Sequence, residues 1–291
     1  CMKVDYHIHT KHSDGFFSVE EVLDQAKLER IQSIAITDHD TLSGIPAAKS
    51  YITEDMEYVT GIEITCSEFP FSESKPAWSI HLLGYGFDET DKPFHEILQR
   101  RAQAIHNVYL RLLKDLQAFG VYVSLSEIPI SCGCVLQLCD VANYLKQKYP
   151  MLDDSARQLV DSYALDLTRA NLTFEEGIRA VHQAGGKAVW AHPFSVYHKF
   201  QKISISHEDV RLVLNVLKKA GLDGIEANYL WFSPEQQKWL WETAKENELY
   251  CTAGSDFHAP VGRNKMGMDI QAQPKEIHKL LASRNSPSNG L

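Results

Sequence analysis

His7-Ile8-His9-Thr10, followed by Asp14, is the stretch whose reading decides this chain. The run Met2-Lys3-Val4-Asp5-Tyr6-His7-Ile8-His9 alternates polar and apolar residues, which predicts a short strand. Side chains two apart on a strand point to the same side, so both imidazoles face one point, as a metal ion requires. The same residue types recur at later predicted strand ends: Thr37-Asp38-His39-Asp40, Gly61-Ile62-Glu63, His81, Ala191-His192-Pro193 and Gly254-Ser255-Asp256-Phe257-His258.

Outward from the first strand, helix and strand signals alternate. Ser18-Val19-Glu20-Glu21 is a capping box that opens a helix to about Ile31, with Val22, Leu23, Ala26 and Leu28 on its apolar side. Ser33-Ile34-Ala35-Ile36-Thr37, Tyr58 to Ile64 and Trp78 to Tyr85 read as strands, and Lys187 to Ala191, Asp223 to Ala227 and Tyr250 to Gly254 as later ones. Thr173-Phe174-Glu175-Glu176, Ser206-His207-Glu208-Asp209 and Ser233-Pro234-Glu235-Gln236 start further helices, and a closing helix is predicted from about Pro274 to Ala282.

Such alternation implies parallel strands with crossover helices and ligands at the C-terminal strand ends. With about seven such strands whose ligands must converge, the expected fold is α/β, a distorted (β/α)7 TIM-like barrel. Residues 92–170 break the rhythm with a long helix, Phe94 to Phe119, and further helical pieces. The expected organisation is therefore a catalytic barrel from 1–91 and 171–291, with 92–170 as a helical insertion covering the barrel mouth.

Composition bounds the function. The 291 residues are 44% hydrophobic and 23% charged, which is a globular profile. No apolar stretch approaches the roughly 20 residues of a membrane span, and no basic-then-apolar leader opens the chain, so a cytoplasmic protein with no membrane partner is expected. The net charge of -9 argues against a broad basic surface for duplex nucleic acid. Cys132, Cys134 and Cys139 cluster without a second Cys/His pair to complete four ligands, so reduced thiols are favoured over a soft-metal site.

Taken in order, these motifs resemble the signatures of the PHP (polymerase and histidinol phosphatase) superfamily over about residues 3 to 98 and 172 to 270. The members that hydrolyse small phosphoesters, including nucleoside 3',5'-bisphosphate phosphatases and short-RNA 5'-exonucleases, look most similar. The resemblance implies three divalent ions, manganese favoured, with iron or zinc as alternatives. Carried over, His7, His9, Glu63 and Asp256 would hold the first ion. Glu63 would bridge to a second held by His81 and His192, and Asp14, His39 and His258 would hold a third. Asp40 would orient an imidazole from behind. The implied reaction is phosphoester hydrolysis by a hydroxide shared between the ions that Glu63 joins. The implied partner is a small phosphorylated substrate, a nucleotide or a short RNA.

One departure stands out. Nucleotide-handling members carry an Arg-Pro-His stretch in the helical insertion, where this chain reads Cys132-Gly133-Cys134-Val135-Leu136-Gln137-Leu138. Arg101, Arg263 and Asn228 remain as candidate substrate contacts, and Trp231 and Phe232 as a candidate stacking surface. Alternative readings are a histidinol-phosphate-type phosphatase, a metal amidohydrolase, or a non-catalytic binding module with the same fold.

Overall fold

The computed structural model describes residues 2–69, 78–198, 201–203, 205–259 and 265–270. The predicted closing helix and Arg263 lie outside these residues. β1 (Met2–Asp5) pairs in parallel with β2 (Ser33–Ile34), which pairs with β3 (Glu57–Tyr58), and β11 (Met268–Ile270) flanks β1 antiparallel. A second sheet runs in the order β10 (Tyr250–Gly254), β9 (Gly224–Tyr229), β6 (Lys187–Trp190), β5 (Trp78–Tyr85) and β4 (Gly61–Phe69). A small antiparallel pair, β7 (Val196–His198) and β8 (Gln201–Ile203), forms a sheet of its own against β5.

The chain beyond β1 and β2 stays extended and ties the two main sheets together. Tyr6 N donates to Ala253 O at 3.0 Å, and Glu63 N to Thr37 O at 3.1 Å. Inward side chains of both sheets share one cluster that includes Val4, Tyr6, Ala35, Leu83, Val189 and Ala253. The mixed α/β character is as expected, although the described strands divide into separate sheets.

The expectation of uniformly parallel strands fails at β5, which runs antiparallel to both β4 and β6. Residues 70–77 are too few for a crossover, which takes about a dozen residues and usually a helix. The long connection after β5 returns the chain to the sheet end it left, with Lys187 beside Tyr85. As a result, Glu63 lies near the start of β4 and His81 in the middle of β5, not at C-terminal strand ends. The strand expected over 58–64 is likewise divided between β3 and β4.

The helices follow their caps. α1 (Val19–Leu28), α6 (Phe174–Gln183), α7 (His207–Lys219) and α8 (Pro234–Glu246) each begin with both hydrogen bonds of a capping box. α1 buries Val19, Val22, Leu23 and Ala26, the helical i, i+3, i+4, i+7 stripe. Leu28 falls off that stripe and is 78% exposed, contrary to the sequence reading. α2 (Ile45–Tyr51) packs beside α1. Residues 92–170 form α3 (Lys92–Leu116), α4 (Leu138–Lys148) and α5 (Asp154–Ala170), which enclose a separate apolar cluster built on Leu112, Leu116, Val141 and Val160.

Buried Asp5 fastens the lower side of this arrangement. Its carboxylate accepts from Ser255 N at 3.0 Å, Ser255 Oγ at 2.6 Å and Gly267 N at 2.7 Å. Replacing it strands buried donors, so Asp5→Ala is expected to cost roughly 3 kcal/mol of stability in denaturant unfolding. A loss below about 0.5 kcal/mol would show that these donors find other partners.

Candidate metal centre

All nine residues singled out by their motifs meet at one end of the two main sheets. Glu63 is 1% exposed and stands at the middle. Its Oε1 lies 2.9 Å from His81 Nδ1 and 3.2 Å from His192 Nε2. Its Oε2 lies 3.0 Å from both His7 Nε2 and His9 Nε2, and 3.4 Å from His39 Nε2. Asp256 Oδ1 completes the first cluster, 3.4 Å from His7 Nε2 and 3.2 Å from His9 Nε2. Asp14 Oδ1 faces His258 Nε2 at 3.3 Å and His9 Nδ1 at 3.7 Å.

Three overlapping groups of donors emerge: His7, His9, Glu63 and Asp256; His9, Asp14, His39 and His258; and His39, Glu63 and His81. The first is the set expected from the resemblance. The second adds His9 to the expected three. In the third, His39 stands where His192 was expected, although His192 still touches Glu63.

Two of these positions, and Asp40 beside His39, hold unusual backbone. Asp40, His192 and Asp256 have φ of 56°, 31° and 54°, conformations that non-glycine residues rarely adopt. Such strain concentrates at functional sites and persists only where the surroundings enforce it. Asp38 supplies part of that enforcement. It accepts from Thr10 N and Thr10 Oγ1 at 2.7 Å and from Ser13 Oγ at 2.6 Å, fixing the loop that carries Asp14.

The same loop is held from the helical block. Cys134 N and Sγ donate to Ser13 O and His12 O at 2.9 and 3.0 Å, and Cys132 Sγ donates to Asp14 O at 3.1 Å. Gly133 is needed between them, because a Cβ there would sit 1.9 Å from Ser13 O. No cysteine enters a candidate metal group among the described residues.

Charge in the centre is tightly coupled. Burial would push the Glu63 carboxyl up, but His39, His7 and His81 outweigh it and hold it well below the usual range. Asp256 and Asp14 are held down against burial in the same way, chiefly by His7 and by His258 respectively. Burial disfavours the His9 cation, yet Asp256 and Glu63 push its pKa up to about 10. His39 is driven down to about 4, first by burial, with the His9 charge adding to it. His9 and His39, stacked on each other, are thus shifted in opposite directions.

The fit to metal ions rests on unsatisfied atoms. Both ring nitrogens of buried His9 and Asp14 Oδ1 have no hydrogen-bond partner, although carboxylate oxygens stand close by. Buried polar atoms are rarely left so. Nitrogen and oxygen donors in these proportions suit manganese, iron or zinc.

The sequence reading missed Glu226. This fully buried carboxylate holds His7 Nδ1 at 2.9 Å and accepts His192 N at 2.8 Å. A lone acid within the apolar strand Gly224-Ile225-Glu226-Ala227 was the available signal. Tyr229 was also underweighted. Its hydroxyl donates to Asp256 Oδ2 at 2.8 Å, and it lines the open cavity of about 550 Å³ above the cluster, with Ser195 and Trp231. Asn228, its neighbour on the strand, does not line that cavity.

Asp40 holds Thr65 N at 3.0 Å and Arg101 at 2.9 Å instead of an imidazole. Arg101 also donates to Asn171 Oδ1, and it borders a second cavity instead of the first. Phe232 is buried against Tyr229 and Phe194, whereas Trp231 is 46% exposed at the rim.

Residues 5–284 match the PHP domain, and the chain belongs to that family. It is 26% identical over 272 residues to a 5'-3' exoribonuclease of Haemophilus influenzae, covering 92% of this chain and 94% of that protein. It is 27% identical over 278 residues to a 3',5'-nucleoside bisphosphate phosphatase of Chromobacterium violaceum, covering 88% and 87%. A solved structure from Bifidobacterium adolescentis, described as a candidate metal-dependent phosphoesterase, shares the fold with a TM-score of 0.66 at 23% identity, covering 96% of this chain and 95% of that one. No helix among the described residues is long and apolar enough to cross a membrane.

Two outcomes are expected. Adding Mn²⁺ to chelator-treated protein should raise its melting temperature, since a ligand at 100 times its Kd adds about 2.7 kcal/mol of stability. An unchanged melting temperature would mean that the orphaned atoms are not metal ligands. Glu226→Gln keeps the shape but turns a donor toward one of the two N–H groups that the carboxylate now accepts. It should weaken Mn²⁺ binding about 10- to 100-fold in calorimetry.

Proposed function

We propose that this protein is a metal-dependent phosphoesterase of the PHP family that hydrolyses a small phosphomonoester, nucleotide or short oligonucleotide 5' end. The observation that carries this reading is Glu63, a buried carboxylate whose two oxygens face different sets of imidazoles, His81 and His192 on one side and His7, His9 and His39 on the other. So placed, Glu63 would be shared between two ions. Asp14, His39 and His258 would take part in holding a third. Manganese is favoured.

Bound divalent ions would lower the pKa of water from about 15.7 toward neutrality and neutralise phosphoryl oxygens as charge builds. The chain's own residues do the positioning. Tyr229 fixes Asp256 by donating to its Oδ2, and Glu226 fixes the His7 ring and the His192 backbone. The His192 ring is oriented by Ser195 O at 3.0 Å, and the His258 ring by Asp256 O at 2.9 Å. In the overall step a water oxygen bonds to phosphorus as the bond to the alcohol oxygen breaks, and the proton released by water ends on the departing alcohol.

The shared inner cluster and the hydrogen bonds that join the sheets support a distorted (β/α)7 barrel from 1–91 and 171–291, with 92–170 as the insertion over its mouth. The relatives named for an exoribonuclease and a bisphosphate phosphatase support a phosphoester as the substrate.

The test is phosphate release from p-nitrophenyl phosphate and a panel of nucleotides in Mn²⁺, with and without chelator. Glu63→Ala should abolish metal-dependent turnover while the protein remains folded. Retained turnover at full metal content in that variant would remove Glu63 from the role given to it.

A further inference from the structure

The second cavity, of about 510 Å³, lies between β4 and β5 on one side and α3, α5 and the 135–138 loop on the other. That volume is within the roughly 300–1,000 Å³ of small-molecule sites. It adjoins the metal centre by strand geometry. Thr65 pairs with His81 across β4 and β5, and Glu63 and Thr65 share one face of β4, as His81 and Ser79 share one face of β5. Thr65 and Ser79 line the second cavity, so its floor begins one step along the strands from the bridging carboxylate. Thr65 Oγ1 is also 3.3 Å from His39 Nδ1.

Its wall is apolar, formed largely by Ile105, Tyr109, Leu136, Leu138, Leu165 and Leu167. Most polar groups at its edge are spent on the protein. Tyr109 Oη donates to Leu136 O, Ser79 Oγ to Cys66 O and Thr168 Oγ1 to Ala164 O. Arg101 is the one cation in the lining among the described residues, and it is tied to Asp40 at 2.9 Å and to Asn171 at 2.8 Å. A site for a second phosphate would instead offer an unpaired guanidinium or ammonium.

We infer that this cavity receives the alcohol portion of the substrate, and that the enzyme selects phosphomonoesters of uncharged aromatic or bulky apolar alcohols over esters that carry a second phosphate. The inference rests on the phosphoesterase reading. The phosphate would sit at the metal centre and the alcohol would extend past Thr65 into the apolar space. Hydrolysis then leaves the neutral alcohol in the cavity and inorganic phosphate at the centre.

The experiment compares kcat/KM of the Mn²⁺-loaded full chain for ethyl phosphate, 2-phenylethyl phosphate and adenosine 3',5'-bisphosphate. The first two have alkyl leaving groups of similar reactivity, so their ratio reads the cavity. 2-Phenylethyl phosphate is expected to exceed both others by about 10-fold or more. Ala164→Trp, which fills the cavity, should cut the phenylethyl-to-ethyl ratio about 10-fold. Leu136→Arg, which adds an unpaired cation to the wall, should shift selectivity toward the bisphosphate, and it keeps the test open if the first variant does not fold. Equal phenylethyl and ethyl rates, a preference for the bisphosphate, or ratios unmoved in the folded variants would overturn the inference. No phosphate from any ester would instead overturn the phosphoesterase reading.

Discussion

The structure turns on one buried carboxylate. Glu63 sits in contact with imidazoles from five separate positions along the chain, and its desolvation is tolerated only because they surround it. The strand ends must therefore converge, and the architecture follows from that demand. The extended chain after β1 delivers His7 and His9, the extended chain after β2 delivers His39, β5 delivers His81, and the turn after β6 delivers His192. The left-handed backbone at Asp40, His192 and Asp256 is the local cost of aiming these residues at one point.

Around that cluster, further groups hold these side chains still. Glu226 spans His7 and His192, Tyr229 steadies Asp256, and Asp38 clamps the loop that carries Asp14. The helical block takes part through Cys132, Gly133 and Cys134, whose backbone and thiols grip residues 12–14. Its remaining contribution is the apolar cavity beside β4 and β5, so the same block touches both the loop that carries Asp14 and the space where a substrate's alcohol would lie.

Much of this was legible in the residues. The nine donors announce themselves as His, Asp and Glu residues in or just beside apolar strand signals, where polar groups have few structural reasons to be, and the capping boxes mark the helix starts through local chemistry alone. Strand direction was less legible. Alternation of elements does not reveal that residues 70–77 are too short for a crossover, and so β5 was misread as parallel. Glu226 escaped because its partners lie far away in sequence, and only the fold brings His7 and His192 to it. Asp40 was read as a support for an imidazole, but Arg101 reaches it from a helix whose docking no local pattern encodes. Arg101, a candidate substrate contact by sequence, borders the second cavity for the same reason.

The Glu63 cluster is proposed to be a multinuclear metal centre. The most direct measurement is the metal content of the purified chain after equilibration with Mn²⁺ and removal of free ions, read by elemental mass spectrometry. The three overlapping donor groups lead to an expectation of at least two bound ions per chain. Fewer than two bound ions in folded protein would contradict the account.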